Sequence, residues 1–163
     1  MKIIGLKRTP EKATQEAKQY ADEILSISDP ANMDKLLAES DFVVNITPLT
    51  KDTIGMYNSS FFKRMKPTAV FMNIGRGQSV VEADLAEACE TGVIAGAYLD
   101  VYEKEPLDKE SPLWAVENVQ MTFHCMDWTA DLEETHCGSF NRNLEVYLDG
   151  KEFTSVVNKE LGY

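Results

Sequence analysis

Phe71-Met72-Asn73-Ile74-Gly75-Arg76-Gly77 reads as the end of a buried strand that runs straight into Gly-Arg-Gly. The sequence thereby presents Arg76 as a single cation at the carboxyl edge of a parallel sheet, the edge at which open α/β sheets bind ligands. Outward from it, two more reactive groups follow strand-like runs: Glu105 in Glu-Lys-Glu-Pro, and His124 in Thr-Phe-His. Taken singly, each has a plain reading, as a surface ion-pair partner, a solvated loop carboxylate or a satisfied polar residue. Together they place one Arg, one Glu and one His at strand ends.

The chain on either side alternates strand and helix patterns. Short apolar runs predict strands over 2–6, 23–27, 42–46, 69–74, 94–99 and 119–123. Helices are expected from Pro10 to about Glu23, after the start signal Asp29-Pro30 with Met33, Leu36 and Leu37, and around 60–65. A further helix over 82–91 carries Leu85, Ala88 and Cys89 on one side and Asp84, Glu87 and Glu90 on the other, and Gly92 stops it. Thr47-Pro48-Leu49-Thr50 breaks the third strand, because proline lacks a ladder donor, and residues 103–114 are rich in proline and charge and read as loop. The last helix runs from about Thr129 to Leu148, and its Leu132, His136, Phe140, Leu144 and Leu148 recur every four residues. That spacing puts His136 in or beside a packing stripe. Strand-helix alternation with short connections predicts an α/β fold, a doubly wound parallel sheet with helices on both faces.

Composition bounds the function. The 163 residues, 44% hydrophobic and 26% charged, suit one domain with a real core. A formal charge of −11 opposes nucleic acid and anionic membranes as partners, since both are polyanions. No run of 18 apolar residues exists, and Lys7 and Arg8 interrupt the opening apolar stretch too soon for a signal peptide, so a cytoplasmic protein is expected. Three cysteines without framework spacing point to a reducing compartment, with Cys89 a buried small apolar residue. The pairs His124-Cys125 and His136-Cys137 offer nitrogen and sulfur ligands, but not at the spacing of a zinc finger or ribbon, and no metal site is expected.

One family gathers these stretches. Asn45-Ile46-Thr47-Pro48-Leu49-Thr50, Met65-Lys66-Pro67, Asn73-Ile74-Gly75-Arg76-Gly77, Val81-Glu82-Ala83-Asp84-Leu85, Ala95-Gly96-Ala97-Tyr98-Leu99-Asp100-Val101-Tyr102, Glu105-Pro106-Leu107 and Thr122-Phe123-His124 stand in one order. In order and spacing they resemble the NAD(P)-dependent D-2-hydroxyacid dehydrogenases, the family of glyoxylate/hydroxypyruvate reductases and phosphoglycerate dehydrogenase. The resemblance covers the chain from its start to about Trp128.

The resemblance implies roles. Arg76 stands where the family binds the carboxylate of a small 2-oxoacid and polarises its carbonyl, and a planar guanidinium suits that group. His124 and Glu105 stand where the family has its general acid and the carboxylate bonded to it; a neighbouring carboxylate favours the imidazolium. Asp100 matches the aspartate near the nicotinamide amide, and Thr47, Pro48 and Ile74 match positions along the adenosine ribose and nicotinamide. NAD-preferring relatives carry an acidic residue after the first strand, where this chain has Lys7, Arg8 and Thr9. Basic residues there attract a 2′-phosphate, so NADP is expected over NAD, which is also accommodated. The family pairs through its coenzyme domains, which implies a homodimer in the complete enzyme.

Departures from the family pattern qualify the activity. The glycine-rich Gly-x-Gly-x-x-Gly loop, with its strand and helix, belongs ahead of Met1 and is not in the sequence, nor is the substrate domain that precedes it. The chain is therefore expected to be the C-terminal portion of such an enzyme: residues 1–128 a partial dinucleotide-binding domain, and 129–163 a C-terminal helix and tail. The usual proline before the histidine is Phe123, and Cys125-Met126-Asp127-Trp128 replaces a run of small residues. The alternative reading is a truncated, non-catalytic homologue that serves as a binding or dimerisation module.

Overall fold

A computed structural model describes residues 1–153 and 156–160. It contains six strands, every pairing of which is parallel. β1 (Ile4–Lys7) pairs with β2 (Glu23–Ser26), and β3 (Phe42–Asn45), β4 (Val70–Asn73), β5 (Gly96–Leu99) and β6 (Val119–Met121) form a second sheet in that order. Five helices accompany them: α1 (Gln15–Tyr20), α2 (Pro30–Glu39), α3 (Ser59–Phe62), α4 (Glu82–Glu90) and α5 (Leu132–Leu148). All six strands lie where the apolar runs place them, and the architecture is the incomplete doubly wound parallel sheet expected.

The core sits between the inner faces of β3 to β5 and the helices α2, α3 and α4. Phe71 on β4 is fully buried, with the rings of Tyr57, Phe61 and Phe62 at centroid distances of 5.3, 6.1 and 5.4 Å, tilted or edge-on as aromatic quadrupoles prefer. Leu37, Leu85, Ile94, Leu99 and Leu113 complete the cluster, and each such side chain stabilises the fold by about 1.5–3 kcal/mol on burial. Short helices begin where side chains satisfy their free N–H groups. The Asp29 carboxylate accepts from Ala31 N at 3.0 Å to start α2, Asn58 Oδ1 caps α3, and the Asp84 carboxylate accepts from Ser59 N at 2.8 Å.

Several features differ from the sequence reading. The helix expected over 10–23 divides into a 3₁₀ turn, Pro10–Lys12, and α1, because Ala13 is extended and Thr14 Oγ1 caps a new start by accepting from Ala17 N at 3.1 Å. The loop over 103–114 gives way at its end to a 3₁₀ turn, Pro112–Ala115, capped by Ser111. The apolar stripe of α5 is present but is not buried by the described residues: no residue of that helix is buried, Phe140 and Leu148 are exposed, and so is His136. Periodicity correctly marks an amphipathic helix without saying what it packs on.

β6 ends at Met121, two residues before the expected end, because Thr122 is drawn into a side-chain bond and His124 adopts φ 59°. The strand thus turns sharply at its carboxyl end. Loops after β3, β4, β5 and β6 all leave the sheet at this one edge, where the candidate residues lie.

Candidate functional site

Arg76 is exposed and held out by a turn between two tightly packed glycines. A β-carbon on Gly75 would lie 3.0 Å from the Thr47 carbonyl oxygen, and one on Gly77 only 1.8 Å from that of Tyr102. Only glycine lets the arginine loop lie against both neighbouring loops at once. Beneath it is a buried polar web. Asn45 Nδ2 donates to Asn73 Oδ1 at 2.8 Å and to Ser79 Oγ at 2.9 Å, and Asn45 Oδ1 accepts from Thr47 N, Thr47 Oγ1 and Tyr57 Oη at 2.7–2.9 Å. Asn73 in turn accepts from Gly75 N at 3.1 Å and donates to the Arg76 carbonyl at 3.2 Å, which fixes the arginine backbone. The guanidinium donates to the Gly75 carbonyl at 2.7 Å, and among the described residues no carboxylate pairs with it. In a chain of charge −11 this is a cation left available to an anion from outside.

His124 and Glu105 are brought together. His124 Nδ1 lies 2.8 Å from Glu105 Oε2, and Glu105 Oε1 accepts from Tyr102 N at 3.1 Å. With the carboxylate ionised, Nδ1 carries the shared proton, so Nε2 is the nitrogen left to exchange one with a ligand. Glu105 precedes a cis proline, Pro106, and its loop is clamped at Glu103, whose N–H donates to Glu82 Oε1 at 2.6 Å while Glu82 N donates to Glu103 Oε1 at 3.2 Å. Burial raises the Glu82 carboxyl above its ordinary range and the Glu103 charge adds to that, against the bond from Glu103 N.

Asp100 organises the histidine turn from below. Its carboxylate is buried and accepts from Thr122 Oγ1, from Cys125 N at 2.9 Å and from Met126 N at 3.0 Å. Three donors on one carboxylate hold His124 in the left-handed conformation, which for a residue with a β-carbon costs about 1–2 kcal/mol. Burial works against the charged form of Asp100, but those donors and the His124 charge outweigh it and hold the carboxyl below its ordinary range. The same balance lowers Glu105: burial opposes, and the bonds to His124 and Tyr102 prevail. Tyr102, buried beside them, donates to the Thr122 carbonyl at 2.5 Å, and burial plus the Asp100 charge push its hydroxyl up to about 12.

The residues assigned to the cofactor line the same edge. Lys7 closes β1 and is exposed, Arg8 pairs with Asp52 at 3.5 Å, and the Thr9 carbonyl accepts from Lys12 N at 3.0 Å. Thr47 is tied to Asn45, Pro48 is exposed beside it, and Ile74 N donates to the Asn45 carbonyl at 3.1 Å. Both oxygens of Asp100 are engaged inside the protein, so its geometry is that of a support for residues 122–126. Among the described residues no cluster of three or more His, Cys, Asp or Glu side chains has the arrangement to hold a metal, and His136 lies on the unpacked helix α5.

Sequence reasoning did not single out Asn45, Ser79, Tyr102 or Thr122 as site residues. A polar side chain at the end of an otherwise apolar strand is the signal that marks the first.

A family model described as the D-isomer specific 2-hydroxyacid dehydrogenase, NAD binding domain, matches residues 1–125. Glyoxylate reductase from Thermococcus onnurineus (strain NA1) is 42% identical over 129 residues, 79% of this chain and 38% of that protein. Glyoxylate/hydroxypyruvate reductase A from Enterobacter sp. (strain 638) is 40% identical over 121 residues, 74% of this chain and again 38% of the relative. The NADPH-dependent glyoxylate/hydroxypyruvate reductase from Sinorhizobium meliloti, solved with NADP and sulfate, superposes with a TM-score of 0.82 at 34% identity. All of this chain and 50% of that one are covered. A D-isomer specific 2-hydroxyacid dehydrogenase from Xanthobacter autotrophicus Py2, solved with NADPH and MES, gives 0.84 at 32% identity, covering 100% of this chain and 63% of that one. The chain thus spans between 38% and 63% of the length of these proteins.

Proposed function

Because the chain belongs to the D-isomer specific 2-hydroxyacid dehydrogenases, matching their NAD-binding domain, we propose that it is the cofactor-binding and proton-donating portion of an oxidoreductase that reduces a small 2-oxoacid, of the glyoxylate or hydroxypyruvate type, to the D-2-hydroxyacid with NADPH. The observation that carries this reading is His124 Nδ1 held 2.8 Å from Glu105 at the sheet edge that also presents Arg76, with which no carboxylate among the described residues pairs. Arg76 receives the substrate carboxylate through charge-assisted hydrogen bonds, each contributing roughly 1.5–3 kcal/mol. His124 delivers a proton from Nε2 to the carbonyl oxygen as that oxygen gains charge, an effect of about 10²–10⁴ in rate. Glu105 keeps the ring oriented and supports its positive charge.

The donor set fits a phosphorylated dinucleotide at two ends. Lys7 and Arg8 at the carboxyl end of β1 suit the 2′-phosphate of the adenosine ribose, and Thr47, Pro48 and Ile74 border the path toward the nicotinamide. When bound, the cofactor supplies the hydride. Among the described residues no glycine-rich turn opens a helix to cradle a pyrophosphate. NADP(H) is the preferred cofactor and NAD(H) the weaker one.

The reading includes residues 1–128 as a partial dinucleotide-binding domain followed by a helix and tail over 129–163, pairing of two chains as a homodimer, and action in the cytoplasm. No described helix is long and apolar enough to cross a membrane. Fluorescence titration of the purified chain with NADPH and with NADH tests the cofactor assignment. Saturation at lower NADPH than NADH concentration, with the preference reduced in a Lys7→Glu/Arg8→Glu variant, is expected. Equal affinity for the two, or a preference for NADH, overturns the NADP assignment.

A further inference from the structure

The segment that carries Glu105 has little beneath it. Residues 103–106 are exposed, and the segment borders a cavity of about 230 Å³ shared by Glu82, Glu103, Leu107 and Pro112. Packing on the core reaches it only at Leu107, so hydrogen bonds must hold the rest. On the far side, Trp114 Nε1 donates to the Asp108 carbonyl at 2.9 Å. On the near side, Glu103 exchanges two bonds with Glu82: its N–H donates to Glu82 Oε1 at 2.6 Å, and its own Oε1 accepts from Glu82 N at 3.2 Å. The one ion pair within the segment, Lys104 to Asp108 at 3.4 Å, is exposed and adds little.

The partner of Glu103 belongs to another element. Glu82 is half-buried in the first turn of α4, whose N-cap position is held by Val81, a side chain that cannot accept a hydrogen bond. The helix start therefore has N–H groups to satisfy and a positive dipole end, and Glu103 supplies from the neighbouring loop the carboxylate that a capping residue would have. In return Glu82 takes the Glu103 N–H, which is also confined from the arginine side: a β-carbon on Gly77 would lie 2.5 Å from Glu103 N. The two carboxylates repel each other, so the pair is held by what each does for the other's backbone and not by charge.

We propose that Glu82 is a positioning residue for the Glu105–His124 pair, acting through Glu103 to tie the segment that carries Glu105 to the start of α4. This rests on the reading of that pair as the proton donor, and adds the residue that keeps it assembled. One residue separates Glu103 from Glu105, whose Oε1 accepts from Tyr102 N at 3.1 Å while Oε2 meets His124 Nδ1 at 2.8 Å. Tyr102 is buried and its hydroxyl is bonded to the Thr122 carbonyl, so it stays with the histidine turn. Release of Glu103 thus moves the carboxylate away from the histidine, and does not move the two together.

Histidine ring ¹⁵N spectra of the full chain, at a pH where the ring is neutral, read which nitrogen of His124 carries the proton. The native chain is expected to show the Nδ1–H form. Glu82→Ala leaves Glu103 N without an acceptor. It should shift the ring toward the Nε2–H form and speed amide exchange at Tyr102 by about tenfold or more, with β4 and β5 unchanged. Glu82→Gln keeps an acceptor oxygen and should restore both native readings. Glu103→Ala should match Glu82→Ala, and because it leaves every residue of α4 in place, the test does not depend on how the helix variant folds. A residue that only stabilises α4 would change the melting temperature and leave the tautomer as it was. An unchanged Nδ1–H form in either alanine variant, or Glu82→Gln behaving as Glu82→Ala, overturns the proposal. Absence of the Nδ1–H form from the native chain overturns the Glu105–His124 reading along with it, so the two failures are told apart.

Discussion

Gly77 and Tyr102 meet backbone to backbone: a β-carbon on Gly77 would fall 1.8 Å from both the carbonyl carbon and the carbonyl oxygen of Tyr102. Since Tyr102 N also donates to Glu105, this contact sets the arginine loop against the loop that carries the carboxylate of the histidine pair. Gly77→Ala must therefore push two loops apart. Overpacking of this kind costs about 1–3 kcal/mol, and a thermal melt should fall by several degrees. Gly92→Ala, with nothing within 4 Å of the new methyl group, bears only the strain of its φ of 72° and should cost less.

Asp100→Asn should release the histidine turn. The amide keeps one acceptor oxygen, but its NH₂ faces a site built from three donors, Thr122 Oγ1, Cys125 N and Met126 N. Amide exchange at Cys125 and Met126 is expected to accelerate at least tenfold, with β4 and β5 unchanged. Unchanged protection in the variant would show that Asp100 does not hold the turn.

Acid should undo the same region. Asp100 and Glu105 both have carboxyls lowered in the folded chain, so the stability they contribute is fully present above their unfolded values, near 3.9 and 4.3, and is lost as pH falls through the lower folded values. Chemical shifts of Cys125 and Met126 are expected to hold steady down to about pH 4 and to move below it. Movement centred above pH 5 would contradict the inward donors as the dominant influence on these carboxylates.

The strands were legible because each is a short apolar run punctuated by Gly, Pro or an acidic turn, and a run such as Phe42-Val43-Val44-Asn45 has few other ways to be buried. Arg76, Glu105 and His124 stood out through their order along the chain, and the structure brings the last two within 2.8 Å. The role of Asn45 was not legible, since a polar residue ending an apolar strand marks the position but not its partners, three of which lie 12, 28 and 34 residues away. The break after Ala13 turned on a single cap, a margin of about 1 kcal/mol. The stripe of α5 was legible as a stripe, but what covers it depends on surfaces outside these elements.

The most direct measurement of the central claim is NADPH oxidation with glyoxylate by a chimera that joins the first half of the Sinorhizobium meliloti reductase to this chain at Met1. Turnover is expected, with Arg76→Ala and His124→Ala each lowering kcat/KM by about 10²-fold or more while NADPH binding persists. A folded chimera that binds NADPH yet does not reduce glyoxylate or hydroxypyruvate, or near-normal turnover in either variant, would contradict the assignment of these residues.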